Sequence, residues 1–182
     1  MCGGTASRYD SGVGDTERSP VSLNLLSVLY LTFKFLHVLG VILLVGNVTV
    51  TAVWKVFADR TREPKVIAFG QRLVTITDWF LTVTGIVLLV VGGYGAAMVS
   101  NMDVFGARWL VWGQLLLAIS GIIWMAILIP AQIRQAKAAR AFANDGEIPD
   151  SYRRDANRWL VWGIIATVPL AAALWVMVFK PV

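Results

Sequence analysis

FKFLHVLGVILLVGNVTVTAVWKVFADR, residues 33–60, is the stretch whose reading decides the fold. It holds the only histidine of the chain, His37, and an apolar run interrupted at its centre by Asn47. Lys34, His37, Asn47, Thr51 and Lys55 recur at spacings of three and four, with Val41 and Leu44 filling the gap, so they share one stripe of a helix. In lipid such a polar stripe is costly unless it faces a protein interior or a wet cavity. The stripe therefore predicts a second helix packed against it.

Composition sets the class. Of 182 residues, 57% are hydrophobic and 15% charged, and apolar runs are long enough to cross a bilayer. The mean hydropathy of +0.69 lies well outside that of an ordinary soluble domain. An all-α, polytopic membrane protein follows, a bundle of four transmembrane helices. The net charge of +5 sits in basic residues beside apolar runs, where membrane topology accounts for it, and nucleic acid is set aside. A lone cysteine, Cys2, makes no intrachain disulfide and no cysteine-based metal site within one chain.

Residues 1–20 mix Gly, Ser and charge without apolar periodicity and read as a flexible tail, with the membrane domain over 21–182. The tail does not read as a secretory signal, because Arg8 and Arg18 are outnumbered by Asp10, Asp15 and Glu17 and the apolar run behind it is too long. Spans are expected near 35–54, 73–94, 109–129 and 159–179. Leu23 to Thr32 extend the first span outward, with Lys34 snorkelling, and Ala58 to Arg62 form a polar link to a helix that opens on Pro64. Pro130 predicts a kink before a basic extension through Arg134, Lys137 and Arg140, and Asp145, Gly146 and Pro149 predict a turn.

Basic residues fix the expected orientation. Lys55, Arg60, Arg62, Lys65 and Arg72 flank the first link, and Arg134, Lys137, Arg140, Arg153, Arg154 and Arg158 the third. By the positive-inside rule both links face the cytoplasm, which puts both termini outside the cell membrane. RWLVWG occurs twice, at 108–113 and 158–163, and at the entrance of a span it reads as an interfacial anchor rather than as half of an inverted repeat.

A second polar stripe, Gln71, Thr75, Asp78, Thr82, Gly85 and Gly92, marks the second span. An acid in mid-membrane is costly by roughly 2.5 to 3.5 kcal/mol on insertion scales, so Asp78 should be paired, protonated or wetted. Counting depth from opposite ends of an antiparallel pair puts Asp78 nearest Asn47, Thr51 and Lys55, and far from His37. The intramembrane polar network is thus read as Asn47, Thr51, Lys55, Gln71, Arg72, Thr75, Asp78 and Thr82. Gly85, Gly92 and Gly93 read as close-packing positions, as do Ser120, Gly121, Gly163, Thr167 and Ala171, and Gln114 as an interhelical hydrogen-bond former. The basic segment from Arg134 to Arg140 has a second reading, as a binder of anionic lipid head groups, although topology alone already accounts for it.

The runs LHVLGVILLVGN, VTAVWK, ADRT, AFGQR and TDWFLT resemble an uncharacterised bacterial family of predicted integral membrane proteins, domain of unknown function 2269. The resemblance covers nearly everything after the tail. It implies that His37, Gly40, Gly46, Asn47, Trp54, Lys55, Asp59, Arg60, Gln71, Arg72 and Asp78 match the family pattern, and it brings no activity. Lys34 and His37 are also similar to the opening of copper-resistance D proteins and of the membrane protoporphyrinogen oxidase type, whose histidines in later helices this chain lacks.

Two function classes follow. One is a structural or accessory membrane protein with a polar face between the first two helices, with the lipid bilayer, a homodimer or other membrane proteins as partners. The alternative is a haem-binding or redox protein in which His37, with Lys34 one turn before it and Gly40 one turn after, leaves one face open to a flat ligand such as haem b. Beyond a haem iron at His37 no metal is expected, and a small-solute or proton transporter is the third class.

Overall fold

The computed structural model describes residues 20–144 and 146–180, and side chains from residue 23 onward. The tail expected over 1–20 falls almost wholly outside the described residues, as does Asp145 of the expected turn. The described chain is helical. α1 runs Pro20–Thr61. The second rod is α2, Pro64–Thr77, a π turn over Asp78–Thr82, and α3, Val83–Val99. The third repeats that plan with α4, Arg108–Ile123, a π turn over Trp124–Leu128, and α5, Ile129–Phe142. The fourth is α6, Asp150–Phe179.

Each of these four rods is long and apolar enough to cross a membrane. Large apolar side chains such as Ile42, Phe80, Met98, Ile122 and Val168 point outward, which is stable only where the solvent is lipid. The four-span bundle expected from composition is the fold.

Details of the connections differ from expectation. No polar link occupies Ala58 to Arg62, because α1 continues to Thr61, leaving only Arg62 and Glu63 before Pro64 takes its place in the first turn of α2. Arg62 turns the chain with a φ of 56°. Ahead of Pro130 the helix widens into its π turn, with the Ile129 amide bonded to the Trp124 carbonyl. Proline cannot donate to the carbonyl four residues back and its ring crowds that group, so the irregularity falls in the turn before it. Between α3 and α4 the Asp103 carboxylate accepts the amides of Gly106 and Phe105, which hold its carboxyl below the usual carboxylate range.

The rods pair unevenly. α1 packs along α3, α4 along α6, and the two pairs join chiefly through α2, α5 and the start of α6. Backbone meets backbone between α1 and α3: a Cβ on Gly40 would stand 2.7 Å from the Gly85 carbonyl oxygen, and one on Gly92 would stand 2.6 Å from that of Phe33. Small residues permit this approach, as their spacing predicts. Gly121 and Gly163 do not serve this purpose, since their Cβ positions look into open space. Ser120 does tie its helices, donating to the Ala166 carbonyl at 2.9 Å. At the far end Gln114 accepts from the Tyr94 hydroxyl at 2.7 Å and donates to the Val104 carbonyl.

The two RWLVWG copies play different parts. Arg108–Gly113 opens α4 as expected, and Trp109 lies beneath the Lys180 ammonium. The second copy begins more than two turns inside α6, where Trp159 is buried with Val74, Leu128, Ala131 and Ala166. Trp159 is core rather than an interfacial anchor, although Arg158 and Val161 of the same copy are exposed.

Candidate functional site

Asp78 opens the π turn of the second rod and is 7% exposed. Its Oδ1 accepts from Asn47 Nδ2 of α1 at 2.8 Å and, more weakly, from Thr82 Oγ1 of its own rod at 3.4 Å. Its Oδ2 accepts from Gln132 Nε2 of α5 at 3.1 Å. Asn47 also donates to Thr82 Oγ1 at 2.9 Å. Three rods therefore converge on one carboxylate, at the level where the α1–α3 pair meets α5. Burying a carboxylate in a medium of low dielectric is costly unless its lone pairs are filled, and here each oxygen has a protein donor.

The π turn bears on this convergence. Its carbonyl at Asp78 takes the amide of Val83, five residues on, so one extra residue enters the turn. Above it Gly85 and Gly92 face α1, while below it Gln71 and Val74 are buried. Such single π turns recur at functional sites.

Lys55 does not reach this cluster. It lies eight residues beyond Asn47 on α1, roughly 12 Å along the axis, and a partner one turn away on its own face captures it. Its ammonium, 2% exposed as a residue, contacts Asp59 Oδ2 and the Tyr152 hydroxyl, both at 2.9 Å. Tyr152 at the start of α6 donates in turn to Asp59 Oδ1 at 2.9 Å, and its ring stands edge-on to Phe142. This second buried cluster joins the first and fourth rods near the arginine-rich end.

The remaining residues of the expected network are dispersed. Thr51 donates to the Asn47 carbonyl and Thr75 to that of Gln71, both within their own helices. Arg72 is exposed, because the turn it occupies shows Gln71 rather than its neighbour to the core. Gln71 is buried at 1% exposure with both amide atoms lacking a protein partner. Gln132 and Tyr152 were missed by sequence reasoning. Gln132 lies beyond Pro130, in what reads as a basic extension, and Tyr152 precedes the expected fourth span; an i, i+3 pair of glutamines, Gln132 and Gln135, among alanines was the available signal.

His37 is half-buried, and its Nδ1 lies 2.7 Å from the Leu89 carbonyl oxygen of α3. A carbonyl only accepts, so Nδ1 carries the proton in this pair. The open face beside Gly40 that the haem reading requires is filled by the backbone of Gly85 and Leu89, and the imidazole itself lies against Gly93. Lys34 is exposed and stands over the Tyr30 ring at 5.7 Å.

A groove of about 460 Å³ runs between α2 and α5. Its deep end holds Asp78, Gln132 and Thr75, its walls include Trp79, Trp124 and Ile133, and its mouth carries Lys137 and Arg140.

Fold and polar core together define a four-span, all-helical integral membrane protein with a carboxylate bonded across three of its spans. The chain belongs to the family described as predicted integral membrane protein (DUF2269), whose model matches residues 31–181. No curated protein and no solved structure matches it, and the weaker likeness to copper-resistance D and protoporphyrinogen oxidase proteins finds no support in these comparisons.

Proposed function

We propose that the protein is a structural or accessory component of the cytoplasmic membrane, whose polar core fixes how its own spans pack and so shapes the surface it offers to other membrane proteins or to a second copy of itself. The observation that carries this reading is the convergence of Asn47, Thr82 and Gln132 on the Asp78 carboxylate. A carboxylate whose two oxygens are both engaged by the protein is placed to hold helices together, and the backbone contact of α1 with α3 serves the same end. In this reading the arginine-rich links face the cytoplasm and both termini lie outside.

Two measurements on the purified protein test it together. Asp78→Asn should unfold sooner than the parent, and the oxidised and dithionite-reduced spectra of protein made in haem-replete cells should show no Soret band, with His37→Ala indistinguishable. A stable Asp78→Asn, or a Soret band lost in His37→Ala, would overturn the structural reading.

A further inference from the structure

The groove between α2 and α5 is built for an amphiphile. Its floor, at Asp78 and Gln132, lies at the level where the spans converge; Arg140 is eight residues further along α5, roughly 12 Å toward the arginine-rich end. Trp79 and Ile133 are exposed beside it, so it opens sideways onto the lipid-facing surface rather than only onto water.

Charge at the mouth is selective in a way that topology does not require. Arg134 belongs to the same basic segment but is spent on a bidentate pair with Asp155, its Nε and Nη2 each 3.0 Å from a carboxylate oxygen. Lys137 and Arg140, the two that line the groove, are exposed and have no ion-pair partner among the described residues. Two such cations above an apolar trough complement a phosphate attached to an acyl chain. Asp78 asks nothing of the occupant, since Asn47, Thr82 and Gln132 already satisfy it.

We propose that this groove is a binding site for an acidic phospholipid of the leaflet at the arginine-rich end, its phosphate between Lys137 and Arg140 and an acyl chain along Trp79, Trp124 and Ile133. Binding there clamps α5 against α2 at the joint between the helix pairs.

The test titrates the purified full-length protein in neutral detergent with phosphatidylglycerol, phosphatidylcholine, oleate or inorganic phosphate and follows the unfolding midpoint. Phosphatidylglycerol should raise the midpoint saturably, well beyond phosphatidylcholine. Lys137→Gln with Arg140→Gln should abolish the difference, and Ala136→Phe, which fills the groove while keeping both cations, should abolish it too. Arg153→Gln with Arg154→Gln, which removes as much charge from outside the groove, should leave it intact. An equal shift with phosphatidylcholine, or full retention in Ala136→Phe, would overturn the site. An equal shift with oleate or inorganic phosphate would overturn the phospholipid in favour of a fatty acid or a soluble anion.

Discussion

Asn47 of α1 and Asp78 of the second rod are joined by a 2.8 Å hydrogen bond, although 31 residues separate them in sequence. The same amide nitrogen reaches Thr82, and the far oxygen of the carboxylate is held by Gln132. A single side chain thus reports on the docking of three rods. Asp78 is only 7% exposed, so a lost protein donor leaves a largely buried carboxylate oxygen short of a partner.

Contact between α1 and α3 depends on the absence of side chains. Gly40→Ala and Gly92→Ala would each push a methyl group into the backbone of the facing helix, which cannot swing aside as a long side chain does. Each should cost about 1–3 kcal/mol, the usual penalty for overpacking. Gly163→Ala, whose Cβ meets nothing within 4 Å, should cost nothing measurable and is the control. Unfolding in bicelles compares the three; equal losses would mean that the helices are not in backbone contact.

The Lys55, Asp59 and Tyr152 cluster makes its own prediction. Tyr152→Phe keeps the ring against Phe142 and removes the hydroxyl that bridges ammonium and carboxylate. A hydrogen bond to a charged group contributes about 1.5–3 kcal/mol, so the variant should lose stability in that range. Tyr152→Phe as stable as the parent would show that this hydroxyl does not help to hold the fourth rod against the first.

Asp103 gives a pH dependence. Its carboxyl is held below the usual range by the amides of Gly106 and Phe105. A group depressed on folding contributes stability that is complete above its unfolded value, about 3.9, and is lost as pH falls through the lower folded value. The amide signal of Gly106 should therefore titrate with a midpoint below that of a free aspartate. A midpoint at or above it would mean that the loop does not cap the carboxylate.

Orientation is tested by cysteine labelling in a Cys2→Ser background. Cysteines replacing Arg62 and Arg140 should resist an impermeant thiol reagent in intact cells, and one replacing Met102 should react. Labelling at Arg62 would reverse the orientation and move the proposed lipid site to the other leaflet.

Much of this was legible before any coordinates. The four spans follow from apolar length, and depth counted along two antiparallel helices put Asn47, Thr51 and Lys55 nearest Asp78, of which only Asn47 bonds to it. The partner of Lys55 was not, because the same count left several groups within reach and could not weigh an i, i+4 carboxylate and a tyrosine from a distant helix against Asp78. Gln132 lay hidden behind Pro130, which suggested that the membrane part of the helix ends there. The π turn before Pro130 had a sequence cause; the one at Asp78 has none that we can name.

How strongly Asn47 and Asp78 hold the first two rods together is measured directly by a double-mutant cycle. Unfolding free energies of the parent, Asn47→Leu, Asp78→Leu and the double variant, in one bicelle composition, give the coupling between the two side chains. Interhelical hydrogen bonds in membranes average about 0.6 kcal/mol and reach about 1.7. We expect a coupling toward the upper part of that span, with the double variant losing less than the sum of the single losses. Strict additivity would contradict the account, because the two residues would then contribute without touching.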